Sequence, residues 1–79
     1  MEELKKYETA MVDILKKEKG VNADFMCFPE LYQLFVDTGL LDKYPMIEAV
    51  KQLINNESVS DSGKEIILKT IFDTVMIPD

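Results

Sequence analysis

Cys27 is the strongest candidate nucleophile in this sequence, but the residues that would activate it are missing. The 79-residue chain contains one cysteine and no histidine. No imidazole is therefore available to accept a proton from a thiol or a serine hydroxyl, which excludes catalysis of the Cys/His and Ser/His types. The neighbours of Cys27 are apolar and none is cationic, so we expect an unreactive, buried thiol. One thiol also gives too few ligands for a zinc site.

Side chains with oxygen atoms cluster in the polar segment 55–61. A calcium-binding loop that begins in this segment and has Gly63 at its sixth position can be tested against the sequence. An EF-hand needs a glycine at its sixth position and a bidentate acid at its twelfth. If Gly63 is the sixth residue, Lys69 is the twelfth, so the loop fails. Three isolated glycines also form no phosphate-binding loop. We therefore expect no metal, no cofactor and no enzymatic activity.

Asp37-Thr38-Gly39 is the tripeptide with an enzymatic association. It resembles the Asp-Thr-Gly of the aspartic proteases, which in retroviral-type enzymes comes from a small homodimeric subunit. That chemistry needs two aspartates that share a proton, each on a tight loop between β-strands. Here the tripeptide ends a helical pattern, with Gly39 as a left-handed cap. The surrounding chain lacks alternating strands and a glycine-rich flap, so the sequence does not favour a protease.

Apolar residues recur at helical spacing along most of the chain, which predicts an all-α fold. We expect one small domain, residues 1–79, built as a compact bundle of about four short helices over residues 2–19, 29–38, 45–55 and 63–76. Gly20 is the predicted cap of helix one, and Pro29 the predicted start of helix two. Ser62 and Glu65 form a predicted capping box for helix four. The predicted buried face of helix four consists of Ile67, Leu68, Ile71, Phe72 and Val75.

Helix two is predicted to lie at the centre of the bundle. Glu30, Gln33 and Asp37 fall on one narrow strip at about 100° per residue, and apolar side chains cover a little over half of the circumference. A surface helix needs only an apolar stripe, so this helix is either central or turns one side towards a partner. Residues 40–44 are predicted to be a connection, and segment 21–28 has no clear pattern.

The charge balance excludes two classes of partner. Fifteen acidic residues face nine basic ones, all of them lysine, for a formal net charge of −6. A chain without arginine and with a negative field is a poor ligand for nucleic acid or for an anionic membrane. No apolar run approaches membrane-spanning length and the first residues carry no signal region, so we expect a cytoplasmic protein. Abundant lysine without arginine is typical of a low-GC bacterium or its phage.

The most apolar and aromatic third of the chain is also the most acidic, which favours a binding surface there. Residues 20–50 contain five acids and one lysine, and aromatics rimmed by charge are typical of interface hot spots. We therefore predict a non-enzymatic protein–protein interaction module, a small adaptor or inhibitor that binds a basic surface of another protein. In one version its acidic face mimics DNA. The predicted binding residues are Phe28, Glu30, Tyr32, Asp37, Asp42 and Tyr44.

Two other functions stay open at this stage. A structural homodimer or larger homo-oligomer would bury surplus apolar surface of helix one or two, which a chain of this size needs for stability. A sequestering protein would instead hold a nucleotide or metabolite in an aromatic pocket around Phe28, Tyr32 and Tyr44. The same composition is also expected of a chain whose aromatics form the core and whose acids form its solvated rim.

Overall fold

The computed structural model describes residues 2–76, which form five α-helices and a terminal π-helical segment. The helices are α1 (Glu2–Lys19), α2 (Phe28–Thr38), α3 (Leu40–Lys43), α4 (Met46–Ile54) and α5 (Asp61–Ile71), and the π-helical segment is Phe72–Met76. Within these residues no strand forms, which confirms the all-α prediction. No helix of the described chain is both long and apolar enough to span a membrane.

Helix α1 has the predicted bounds, and the charges at its ends explain why. Acidic residues occupy its first turn and lysines its last turn, which matches the sign of the helix dipole at each end. Gly20 adopts the left-handed conformation with φ of 65°, and its amide donates to the Lys16 carbonyl at 3.1 Å. The predicted glycine cap is therefore confirmed. At the other end, the Glu65 carboxylate accepts from the Glu2 amide at 3.1 Å, which anchors α5 to the start of α1.

Helix α2 begins one residue earlier than predicted. Two carboxylates accept hydrogen bonds from Cys27 and Phe28 at its start. The Glu30 carboxylate accepts from the Cys27 thiol at 3.0 Å and from the Cys27 amide at 3.5 Å. The Glu8 carboxylate of α1 accepts from the Phe28 amide at 2.8 Å, and so satisfies an amide that has no partner within the helix. Pro29 lies in the first turn, as predicted, and Gly39 ends the helix with φ of 78°.

The core is built mainly from α1 and α2. Tyr7, Met11 and Leu15 come from α1 and are fully buried, and α2 supplies buried Phe28, Leu31 and Phe35. Helix α1 packs against both α2 and α5, so α2 shares the centre of the bundle with α1. The other buried apolar residues are Ala23, Leu40, Ile47, Val50 and Leu68.

Tyr7 of α1 packs against Leu68 of α5 and Phe72 of the π-helical segment, and we call these three residues the α1–α5 seam. The Tyr7 hydroxyl donates to the Leu68 carbonyl at 2.5 Å while the ring is completely buried. The Phe72 ring meets the Tyr7 ring edge to face, with 5.3 Å between centroids, a favoured aromatic geometry. The seam therefore buries an aromatic ring without leaving its hydroxyl unsatisfied.

The predicted start of helix four was wrong. Helix α5 begins at Asp61, and Ser60 rather than Ser62 is its N-cap, with the Ser60 hydroxyl accepting from the Gly63 amide at 3.1 Å. The Glu65 carboxylate accepts from the Glu2 amide at the start of α1, so it does not complete a capping box. Residues 72–76 continue the helix in π geometry. Leu68 is buried as predicted, but Ile67 is 41% exposed, and the Val75 side chain lies outside the described residues.

Residues 40–44, predicted to be a connection, do link α2 to α4 but are partly helical. They contain the one-turn helix α3, with the Tyr44 amide donating to the Leu40 carbonyl at 2.9 Å. The left-handed Gly39 lets the chain change direction directly after α2, and Leu40 then packs into the core with 3% of its surface exposed. Helix α4 is one residue shorter at each end than predicted, and its Ile47 and Val50 are buried.

Candidate functional site

Three of the predicted binding residues, Glu30, Asp37 and Asp42, are exposed, and we call them the acidic face. Glu30 and Asp37 lie two turns apart on the outward side of α2, and Asp42 lies in α3 just beyond its end. Glu30 is hydrogen-bonded to Cys27, and these bonds lower the pKa of the Glu30 carboxyl. Asp37 accepts from the Gln33 amide at 2.9 Å. The hydrogen bonds orient both carboxylates and leave their negative charge in place.

Four acids of the described chain are paired with lysines, and none of the four belongs to the acidic face. Four ion pairs form within residues 2–76: Lys6–Glu3, Lys17–Asp13, Lys43–Glu18 and Lys69–Asp73. None of them includes Glu30, Asp37 or Asp42. Lys43 follows Asp42 directly in sequence, yet its ammonium group pairs with Glu18 of α1 at 2.5 Å. The acidic face therefore presents uncompensated negative charge to the solvent.

Cys27 is exposed, which corrects the expectation of a buried thiol. Its position explains the difference, because an N-cap residue lies outside the helix and here points towards the solvent side of α2. The hydrogen bond from the thiol to the Glu30 carboxylate raises the pKa of Cys27. A thiol held in its protonated form is a weak nucleophile, so the exposed cysteine acts here as a helix cap.

A groove of about 400 Å³, which we call the α2–α4 groove, contains two of the predicted aromatic residues. Its lining comes from α1, α2, α4 and the residue after α4: Leu4, Phe28, Pro29, Tyr32, Gln33, Lys51, Ile54 and Asn55. Phe28 is only 4% exposed and also belongs to the core. Phe28 therefore contributes to the floor of the groove, while the half-buried Tyr32 contributes to its wall.

Tyr32 is fixed in the groove by two charged neighbours. Its hydroxyl donates to the Glu48 carboxylate, and this bond raises the pKa of Tyr32 and lowers that of Glu48. The Lys51 ammonium nitrogen lies 4.4 Å from the centroid of the Tyr32 ring, within the range of a cation–π contact. Among the described lining residues Lys51 alone is charged, so the groove presents a cation at the edge of an apolar floor.

Tyr44 lies apart from this groove and connects α1 to the end of α3. Its hydroxyl donates to the Glu18 carboxylate at 2.6 Å, and its ring centroid is 6.1 Å from that of Phe35. Hydrogen bonds from Lys43 and then from Tyr44 lower the pKa of Glu18. The structure thus brings Phe28 and Tyr32 together in one groove, whereas Tyr44 belongs to a different helix contact.

Phe25 is an exposed aromatic that our interpretation of the sequence missed. It lies in a turn over residues 23–26, closed by the Met26 amide donating to the Ala23 carbonyl at 3.2 Å. Its φ is 68°, the left-handed region that disfavours side chains with a Cβ. Its side chain is fully exposed, at 105% of the reference area. The detectable signal was Asn22, whose side chain accepts from the Asp24 amide at 3.1 Å and starts the turn.

No protein-family model, curated protein or solved structure matches this chain. Arguments about function therefore depend on the acidic face, the α2–α4 groove and the turn at Phe25. The first is a set of exposed anions, the second an apolar concavity with one cation, and the third an exposed aromatic beside an acid. All three are features suited to contact with other molecules.

Proposed function

We propose that this protein is a non-enzymatic adaptor or inhibitor that binds a basic surface of another protein through the acidic face. The observation that carries the proposal is that Glu30, Asp37 and Asp42 have no cationic partner within residues 2–76. A basic partner gains their attraction without breaking an existing pair, and uncompensated charge of one sign also accelerates encounter. Paired acids such as Asp13 and Asp73 offer less, because a lysine already neutralises each of them.

Exposed apolar surface beside the acidic face supports the same proposal. Val36 is 45% exposed on α2, directly before Asp37, and the exposed Pro29 precedes Glu30. Interfaces combine apolar contacts with a polar rim, because charge alone gives little affinity in water. The proposal includes a cytoplasmic location, which a lone cysteine supports, since disulfide frameworks are typical of secreted small domains.

The test compares two variants that each remove three negative charges from the formal net charge of −6. The face variant carries Glu30→Gln, Asp37→Asn and Asp42→Asn; Gln still serves at the third position of a capping box. The control variant carries Asp13→Asn, Glu57→Gln and Asp73→Asn. Each protein is immobilised and exposed to a bacterial lysate, and the retained proteins are quantified by mass spectrometry at low and high salt.

We expect a basic protein that the wild type and the control retain, that the face variant loses, and that high salt releases. If the three forms retain the same proteins, the acidic face is not the binding surface and the proposal fails. The DNA-mimic version adds one expectation: duplex DNA should displace the retained protein in competition. Retention that DNA does not affect would exclude that version while leaving the basic-partner proposal intact.

A further inference from the structure

Phe25 has a backbone conformation and a side-chain exposure that do not stabilise the isolated chain. A left-handed φ costs a non-glycine residue roughly 1–2 kcal/mol, and an aromatic ring in water gains nothing from burial. The turn is nevertheless well defined, because Ala23 is 1% exposed and anchors it in the core. The Asn22–Asp24 and Ala23–Met26 hydrogen bonds hold its backbone. The fold therefore fixes the backbone of Phe25 in a conformation that directs its ring into the solvent.

The α2–α4 groove on the same molecule is an apolar concavity that could accommodate an aromatic ring. The α2–α4 groove has an apolar floor that includes Leu4, Phe28 and Ile54. Its volume of about 400 Å³ is near the lower end of the roughly 300–1,000 Å³ usual for ligand sites, which suits a single aromatic side chain and its neighbours. Lys51 at its edge is a cation, and Asp24 directly precedes Phe25 as an exposed anion.

The turn and the groove lie close together on the molecule. The amide of Phe28, a groove residue, donates to the Glu8 carboxylate at 2.8 Å, and Leu4 of the groove lies one helical turn before Glu8 on α1. Glu8 in turn lines a shallow depression together with Asp24 and Phe25. When a projection and its complementary groove are neighbours on one face, a two-fold axis between two copies lets each projection enter the groove of the other.

We propose that two copies of this chain associate reciprocally, with Phe25 of each copy seated in the α2–α4 groove of the other and Asp24 facing Lys51. The contact uses none of Glu30, Asp37 and Asp42, although Pro29 and Gln33 of the groove adjoin them. It therefore goes beyond the proposed function and is tested separately from it. Each half of the contact combines an aromatic anchor in an apolar concavity with one pair of opposite charges at the rim, the usual anatomy of a hot spot. A two-fold arrangement makes the contact twice.

Sedimentation over a concentration series tests the proposal on the full chain. We expect the wild type to form a dimer as the concentration rises. Phe25→Gly should raise the dimer dissociation constant roughly tenfold or more, since it removes the anchor. Asp24→Lys should weaken the dimer as well, and combining it with Lys51→Asp should restore part of the affinity because the charges are exchanged. Asp13→Lys, at an exposed position of α1, is the control for the positive charge added by Asp24→Lys and should leave the dimer unchanged.

Three results would overturn the proposal: a wild type that stays monomeric at every concentration, a dimer indifferent to Phe25→Gly, or a charge exchange that restores nothing. Circular dichroism of each variant verifies that the helices are retained. The face variant, which neutralises Glu30, Asp37 and Asp42, should still dimerise. Loss of its partner with the dimer intact, or the reverse, therefore separates failure of the proposed function from failure of this inference.

Discussion

Tyr7 and Phe25 are aromatic residues of opposite exposure, one completely buried and one completely exposed, and their surroundings differ in the same way. In the α1–α5 seam the Tyr7 ring is completely buried and its hydroxyl is bonded to the Leu68 carbonyl. In the turn over residues 23–26 the Phe25 ring is completely exposed on a left-handed backbone. In the seam a buried ring has its hydroxyl satisfied, whereas in the turn one residue combines an exposed aromatic ring with a left-handed φ.

The difference separates residues that stabilise this chain from residues available for contact with another molecule. Local violations of folding preferences concentrate where a protein functions, because selection for stability alone would remove them. Glycine would satisfy the left-handed φ of Phe25 at no steric cost. The comparison therefore predicts that substitutions in the seam change stability strongly, and that substitutions in the turn change it little while changing association.

Replacing Tyr7 by alanine should have the largest effect on stability. The change removes a fully buried ring, its edge-to-face contact with Phe72 and its hydrogen bond to Leu68. Aromatic-to-alanine changes in a core cost about 3–5 kcal/mol, a large share of the stability of a small domain. Urea denaturation followed by circular dichroism measures the loss. A cost below 1 kcal/mol would show that the seam is not where the stability of this fold resides.

Replacing Glu8 by alanine should have the next largest effect, because Glu8 connects α1 to the start of α2. The Phe28 amide would lose its carboxylate acceptor, now at 2.8 Å, and hydrogen bonds to charged groups contribute about 1.5–3 kcal/mol. Asp13→Ala is the control, since the Asp13–Lys17 pair is exposed on α1 and surface pairs contribute about 0–1 kcal/mol. Equal losses in the two variants would contradict the capping role of Glu8. Hydrogen exchange at Phe28 should accelerate only in Glu8→Ala.

Alkaline pH should destabilise the fold through Tyr7. Burial, followed by the nearby Glu3 charge, raises the pKa of Tyr7 well above its ordinary value. The unfolded chain releases the tyrosine proton near pH 10 while the folded chain retains it. The folded state then binds more protons, so the free energy of unfolding decreases as the pH rises above about 10.

Tyr7→Phe isolates this contribution. At neutral pH it should cost about 1 kcal/mol, because the Leu68 carbonyl keeps the Phe72 amide as a donor. Above pH 10 its stability should fall less steeply than that of the wild type. Some slope should persist, since hydrogen bonds to Glu48 and Glu18 also raise the pKa values of Tyr32 and Tyr44. Parallel pH curves for the two proteins would contradict the assignment to Tyr7.

The ends of the helices show how much of the fold was predictable from the sequence. Helical periodicity gave α1 its bounds, and the glycines and the proline set the ends of α1 and α2, because these signals act within one or two turns. The start of α5 was not predictable in the same way. Ser60 and Ser62 both precede helical residues, and only the contact of Glu65 with the start of α1 removes the acid from the capping box. Such a choice depends on tertiary structure.

The candidate sites were predictable only in part. Helical spacing placed Glu30 and Asp37 on one exposed strip of α2, as the structure has them. Helical spacing did not indicate which acids the lysines would pair with. Lys43, for example, pairs with Glu18 of α1, which lies 25 residues earlier in the sequence. The groove combines three helices and Phe25 depends on a single backbone angle. Neither leaves a periodic signal in the sequence.

The smallest predicted change in stability, at Phe25, is the sharpest test of the comparison. Phe25→Gly removes no buried surface and relieves the left-handed φ of 68°, while glycine increases the entropy of the unfolded chain. The two terms nearly cancel, so the variant should be equal to the wild type or more stable by up to about 1 kcal/mol. Phe25→Ala retains a Cβ and should gain nothing. Both must be measured at dilution, because a dimer would add stability to the wild type alone. A loss above 1 kcal/mol in Phe25→Gly would mean that the ring stabilises the monomer, and the turn would then belong with the seam.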